Sequence, residues 1–105
     1  MSNMSPFKFI GSYGLPARVA PASVTVKNAG EERQVVIQTP VGSDTIYVTF
    51  DGSTPSNTFS STVSSTIPIL GGAVYIFTML ANQTSIGFYC PTNTVNGWAL
   101  VGVGE

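Results

Sequence analysis

Apolar and polar side chains alternate along this chain in short bursts, and turn-forming residues separate the bursts. Ala22-Ser23-Val24-Thr25-Val26-Lys27 alternates with period two until Asn28-Ala29-Gly30 breaks it. Arg33-Gln34-Val35-Val36-Ile37-Gln38 follows and is closed by Thr39-Pro40. Thr45-Ile46-Tyr47-Val48-Thr49-Phe50 is rich in β-branched and aromatic residues and ends at Asp51-Gly52. Successive side chains of a strand point to opposite faces, so this spacing predicts strands. Thr66-Ile67-Pro68-Ile69-Leu70 reads as an edge strand, because Pro68 cannot donate to a ladder. Gly71-Gly72 signals a tight turn from which Ala73-Val74-Tyr75-Ile76-Phe77-Thr78-Met79 runs back. Ser85-Ile86-Gly87-Phe88-Tyr89-Cys90 and Trp98-Ala99-Leu100-Val101-Gly102-Val103 bring the total to about seven strands. Helical periodicity with caps is absent throughout. The expectation is an all-β chain, a small antiparallel β-sandwich or barrel.

In the third strand the alternation sends Ile46, Val48 and Phe50 to the core and leaves Tyr47 on the other face, where simple packing under a loop is expected ahead of a half-exposed aromatic. Extended to the other strands, the predicted core is Val24, Val26, Val35, Ile37, Ile46, Val48, Phe50, Val74, Ile76, Ile86, Phe88, Leu100 and Val101. Two segments fall outside the pattern. Residues 1–21 carry Pro6, Pro16 and Pro21 with Gly11 and Gly14, a density that denies them a helix or a central strand. Yet Phe7, Phe9, Ile10, Tyr13 and Leu15 are too apolar for a solvated tail. The predicted division is therefore an extended N-terminal arm over 1–21 and a single sandwich domain over 22–105. Those five apolar residues are the candidate partner contacts, on a neighbouring subunit or on the chain's own domain. Ser53 to Ser65, nearly all Ser and Thr, reads as a long mobile loop.

Charge changes the picture more than hydropathy does. The 105 residues include four basic and five acidic ones, no histidine, and a net charge of −1. A soluble monomer normally keeps about a quarter of its residues charged, so this surface suits a protein largely covered by partners. There is no basic footprint for nucleic acid. Acid–base catalysis needs a group titrating near neutral pH or converging carboxylates, and here the acids stand singly in turns. Asp44 and Asp51 flank one strand and read as turn residues before they read as calcium ligands. Glu31-Glu32-Arg33 reads as a solvated turn. Cys90 is the sole cysteine and sits in an apolar run, which predicts a buried, unreactive thiol. No nucleotide loop or zinc cluster is present. The chain is expected to be no enzyme and to need no cofactor or metal. Met1–Pro6 has no secretory pattern and no apolar run is long enough for a membrane span, so a chain made in and acting from a cytoplasm is expected.

Four segments carry a resemblance: Arg33-Gln34-Val35-Val36-Ile37-Gln38, then Ile46-Tyr47-Val48-Thr49-Phe50-Asp51-Gly52, then Ile67-Pro68-Ile69-Leu70-Gly71-Gly72-Ala73-Val74-Tyr75, and Ser85-Ile86-Gly87-Phe88-Tyr89. In order and spacing, residues 31–90 resemble a group of small virion proteins of tailed bacteriophages. The second strand ends in Gln38-Thr39-Pro40 where that group has Gln-Asn, and the usual Pro before Gly71 is missing. The resemblance implies a structural protein at the capsid surface, a decoration or cement protein that bridges coat subunits. It further implies the major capsid protein as partner and a homotrimer as the oligomer. The alternatives are a tail, neck or fibre component binding a receptor or glycan, and a non-viral β-sandwich binding module. Exposed aromatics around Trp98 and Tyr89 on one surface would favour glycan.

Overall fold

The computed structural model describes residues 8–26, 32–59 and 63–103. They form eight strands: β1 (Lys8–Ala17), β2 (Ala22–Thr25), β3 (Arg33–Gln38), β4 (Ile46–Thr49), β5 (Ile67–Ile69), β6 (Val74–Met79), β7 (Ser85–Tyr89) and β8 (Val95–Val103). Two four-stranded antiparallel sheets result, ordered β1-β8-β3-β6 and β2-β7-β4-β5. They pack face to face as a sandwich. Every link between consecutive strands crosses from one sheet to the other, except that between β4 and β5. Eight strands shared in this order between two sheets make a jelly roll.

The period-two pattern places the core. Val35 and Ile37 of β3, Ile46 and Val48 of β4, and Ile86 and Phe88 of β7 point between the sheets with Phe50, and all are buried. Phe50 meets Phe77 of the opposite sheet with ring centroids 5.2 Å apart in a tilted pair. Val24 packs against this cluster half-buried, and Val26 and Val101 are buried.

Strand β6 departs from expectation. Val74 and Ile76, assigned to the core, are 59% and 67% exposed, while Tyr75, Phe77 and Met79 face inward. Both parities of this strand are apolar, so alternation alone cannot tell its faces apart. Leu100 is likewise only half-buried. The inward places go to residues the pattern passed over, chiefly Leu15, Ile69, Met79, Val95 and Ala99.

The larger correction is β1. Lys8–Ala17 is no free arm: it pairs with β8 along nine register positions and forms the edge of its sheet. Pro16 is tolerated because an edge strand needs hydrogen bonds on one side only, and a register shift between Phe9 and Gly11 absorbs an extra residue. The sandwich therefore begins at residue 8, and its strands number eight. The remainder of the predicted arm, residues 1–7, lies outside the described residues, as do Lys27 and the Asn28-Ala29-Gly30 break.

Gly71-Gly72 makes the tight turn foreseen for it, but as a corner between sheets, since β5 pairs with β4 and β6 with β3. The Ala73 N–H donates to the Leu70 carbonyl at 3.0 Å, and Gly72 takes φ +78°, the left-handed third position of a type II turn. A matching corner, Pro40–Ser43 with Gly42 at φ +79°, lies against it. A Cβ on Gly71 would sit 2.0 Å from the Ser43 carbonyl oxygen, so the two turns can touch only through glycine. The buried Thr39 joins them: its Oγ1 donates to the Leu70 carbonyl (2.8 Å) and accepts from the Gly72 N–H (3.0 Å).

Candidate functional site

The two outer faces of the sandwich are treated differently. Over the β2-β7-β4-β5 sheet, the chain folds its own loop. Thr49 Oγ1 donates to the Ser53 carbonyl at 2.6 Å, and the Ser56 N–H donates to Thr66 Oγ1 at 3.2 Å. Pro55 is buried beneath this cover. Gly87 makes the close approach possible, because a Cβ there would meet Thr49 Oγ1 at 2.6 Å and Pro55 Cδ at 3.2 Å. Phe59 then packs on Tyr47 with centroids 6.1 Å apart, and Tyr47 on Tyr89 at 6.3 Å. The first part of the segment expected to be mobile thus has defined bonds to the sheet; residues 60–62 lie outside the described residues.

Over the β1-β8-β3-β6 sheet nothing comparable lies among the described residues. Pairing register sets its outward side chains in three rows: Gly14, Trp98, Gln38 and Val74; Ser12, Leu100, Val36 and Ile76; and Phe9, Gly102, Gln34 and Thr78. None of these twelve positions carries a charge. The Trp98 indole N–H donates to Gln38 Oε1, its neighbour in the same row. The middle row is an apolar band from Leu100 through Val36 to Ile76. An antiparallel sheet with one wet face normally alternates apolar-in and polar-out. Here the outer face carries an apolar band across its middle and no charge in any of the three rows.

The predicted contact residues divide. Phe9 and Ile10 are exposed, 61% and 37%, at the start of β1, and Phe9 belongs to the uncharged face. Tyr13 is half-buried against the core. Leu15 is fully buried between the sheets, so it is a core residue of its own domain and is not available to a partner. Phe7 lies outside the described residues. What sequence reasoning missed is the band Leu100–Val36–Ile76. Its signal was present, as runs apolar at both parities in β3, β6 and β8 mark strands covered on both faces.

Trp98 and Tyr89 stand on opposite faces of the sandwich, in different sheets. They form no single aromatic platform. Asp44 and Asp51 are each engaged by protein donors. Thr92 Oγ1 (2.7 Å) and Asn93 Nδ2 (3.1 Å) donate to Asp44 and hold its carboxyl below the usual range, Thr92 contributing most. Asp51 accepts from the Ser53 hydroxyl (2.6 Å) and N–H (3.1 Å), which with the Ser65 hydroxyl lower its pKa to about 2. Among the described residues no three His, Cys, Asp or Glu side chains gather as metal ligands would. Arg33 corrects the reading of a solvated Glu31-Glu32-Arg33 turn. It opens β3 opposite Met79, is 6% exposed, and its Nε is buried without a hydrogen-bond partner; Glu31 lies outside the described residues. Cys90 is fully buried and lies 3.8 Å from Thr92 Oγ1.

No protein-family model matches the chain, and no curated protein does. Among solved structures it is similar to a chain described under "Bacillus endospore appendages form a novel family of disulfide-linked pili". The match has a TM-score of 0.55 and 13% sequence identity, and covers 92% of this chain and 88% of that one. The likeness is one of fold. The disulfide chemistry named for those pili has no counterpart in the residues here. Linking subunits in a row takes at least two reachable cysteines per subunit, and this sequence has one, fully buried.

Proposed function

We propose that the chain is a structural subunit of a bacteriophage particle, a decoration protein that sits on the capsid and bridges coat subunits. The observation that carries this reading is the uncharged, apolar outer face of the β1-β8-β3-β6 sheet. Exposed apolar patches of this kind mark interaction sites. The covered opposite sheet makes the asymmetry specific: the chain's own loop lies over one side, and among the described residues nothing lies over the other. The phage-like segments at residues 33–38, 46–52, 67–75 and 85–89 supply the kind of partner, the major capsid protein. The jelly roll is compatible with capsid and lectin roles alike and decides nothing by itself.

Magnitudes fit a lattice better than a solitary pair. Hiding ~300 Å² of apolar surface at ~25 cal/mol per Å² gains about 7 kcal/mol, within the ~4–15 kcal/mol that association costs. One such contact is weak. Many on one shell act together through effective concentration. No enzymatic role enters this proposal. The separation of Trp98 from Tyr89 breaks up the single aromatic surface that the glycan-binding alternative expected; Tyr47, Phe59 and Tyr89 cluster on the other face without Trp98.

The test is co-sedimentation of the purified protein with capsids assembled without it. The wild-type chain is expected to pellet with the shells. Leu100→Lys and Val36→Lys, folded by circular dichroism, are expected to stay in the supernatant. Variants that pellet as well as wild type would remove this face from the proposal. Counting copies in purified particles separates a shell component, many per particle, from a tail part present in a handful.

A further inference from the structure

The edges of the two sheets are unequally defended. Strand β5 has three residues, one of them Pro68, and β2 has four. Strand β1 carries Pro16 and an irregular register. Strand β6 has none of these devices. It runs six residues in unbroken register with β3, with no charge and no proline, and no described strand pairs with its other side. Natural sheets rarely leave such an edge open, because its backbone groups template another strand.

The backbone phase of β6 follows from one bond. The Thr39 N–H donates to the Ala73 carbonyl (3.4 Å), so odd-numbered residues bond to β3 and the even ones, Val74, Ile76 and Thr78, turn their N–H and C=O outward. Those three also present their side chains on the apolar outer face. The sequence of the strand adds a symmetry. About Ile76, Tyr75 mirrors Phe77, and Val74 mirrors Thr78, its near-isostere in shape.

We infer that β6 pairs antiparallel with β6 of a second copy across a twofold axis through Ile76. Two copies then form one continuous eight-stranded sheet. Ile76 faces its own mate, each Val74 faces a Thr78 and each Tyr75 faces a Phe77, so like meets like at every position. A heterologous strand would find no such match, which is why the occupant is a second copy. The interface is isologous and closes on itself. The apolar band doubles in length and stays uncharged throughout. This pairing does not rest on the virion reading, since it belongs to the isolated chain.

Light scattering coupled to size exclusion tests it. Ile76→Lys sets two ammonium groups against each other at the axis, and the mass of the soluble species is expected to fall by half. Leu100→Lys, on the same face but away from the edge, is expected to leave the mass unchanged. Loss of mass in both variants alike, or in neither, overturns the proposal, as does a monomeric wild-type chain. Register is read by single cysteines in a Cys90→Ala background. Ile76→Cys is expected to form a covalent dimer under mild oxidation, at the ~5.5 Å Cα separation of a hydrogen-bonded pair. Val74→Cys, about four residues from its own mate, is expected not to link. Equal linking by the two would mean random collision and would refute the pairing.

Discussion

At Gly87 a single hydrogen atom decides how closely the loop can cover its sheet. Gly87→Ala would drive a methyl group to 2.6 Å from Thr49 Oγ1, whose bond to Ser53 anchors the loop. We expect a loss of about 1–3 kcal/mol, the usual scale of overpacking, read as a lowered thermal midpoint. Asp51 makes a pH prediction at the same scale. Its carboxyl is held at about 2 when folded against an ordinary 3.8, so its contribution is complete above the unfolded value and lost as pH falls through the folded one. Asp51 is solvent-exposed, and screening keeps the effect small. Thermal midpoints of wild type and Asp51→Asn, compared from about pH 6 to about pH 2, should therefore converge as acid removes the charge the variant already lacks. Cys90 was legible from its apolar surroundings. Arg33 was not, because burial of a charged residue depends on strands far away in sequence.

The strands were readable wherever one parity is polar. Residues 46–50 alternate cleanly, and the sandwich uses them as written. Strand β6 was readable as a strand but not in its orientation, since Val-Tyr-Ile-Phe offers an apolar side either way. Strand β1 was hidden by Pro16 and two glycines, which forbid a central strand but not an edge. Its place in the core makes a strong prediction. Leu15→Ala empties a fully buried site and should cost about 2–5 kcal/mol in chemical denaturation. An arm docked only on a neighbour would instead leave the isolated chain's stability unchanged. The uncharged face showed in single elements only as runs apolar at both parities. Its rows come from the pairing of β1, β8, β3 and β6, and the register assembles them.

For the whole molecule, net charge −1 and a neutral contact face lead to the same expectation. Salt screens charge–charge attraction over about a Debye length and leaves apolar contact largely untouched. Association through this face should therefore hold, or tighten, between roughly 0.05 and 0.5 M sodium chloride, measured by sedimentation or light scattering. A steep loss with salt would point to a charged surface as the true contact. The sheet order itself was beyond sequence reasoning. Because all links but one cross between sheets, neighbours in space are distant in sequence, and local pattern cannot rank them.

The exceptional link, from β4 to β5, gives the molecule a polarity with a practical side. It stays within one sheet, so lengthening it does not prise the sandwich apart, and Asn57 and Thr58 near its tip are exposed. It also lies on the side opposite the uncharged face. A subunit fastened by that face would hold out any peptide spliced between Asn57 and Thr58 toward the surrounding medium. Evolution, or an engineer building an antigen scaffold, could change this cargo site freely while the anchoring side stayed the same.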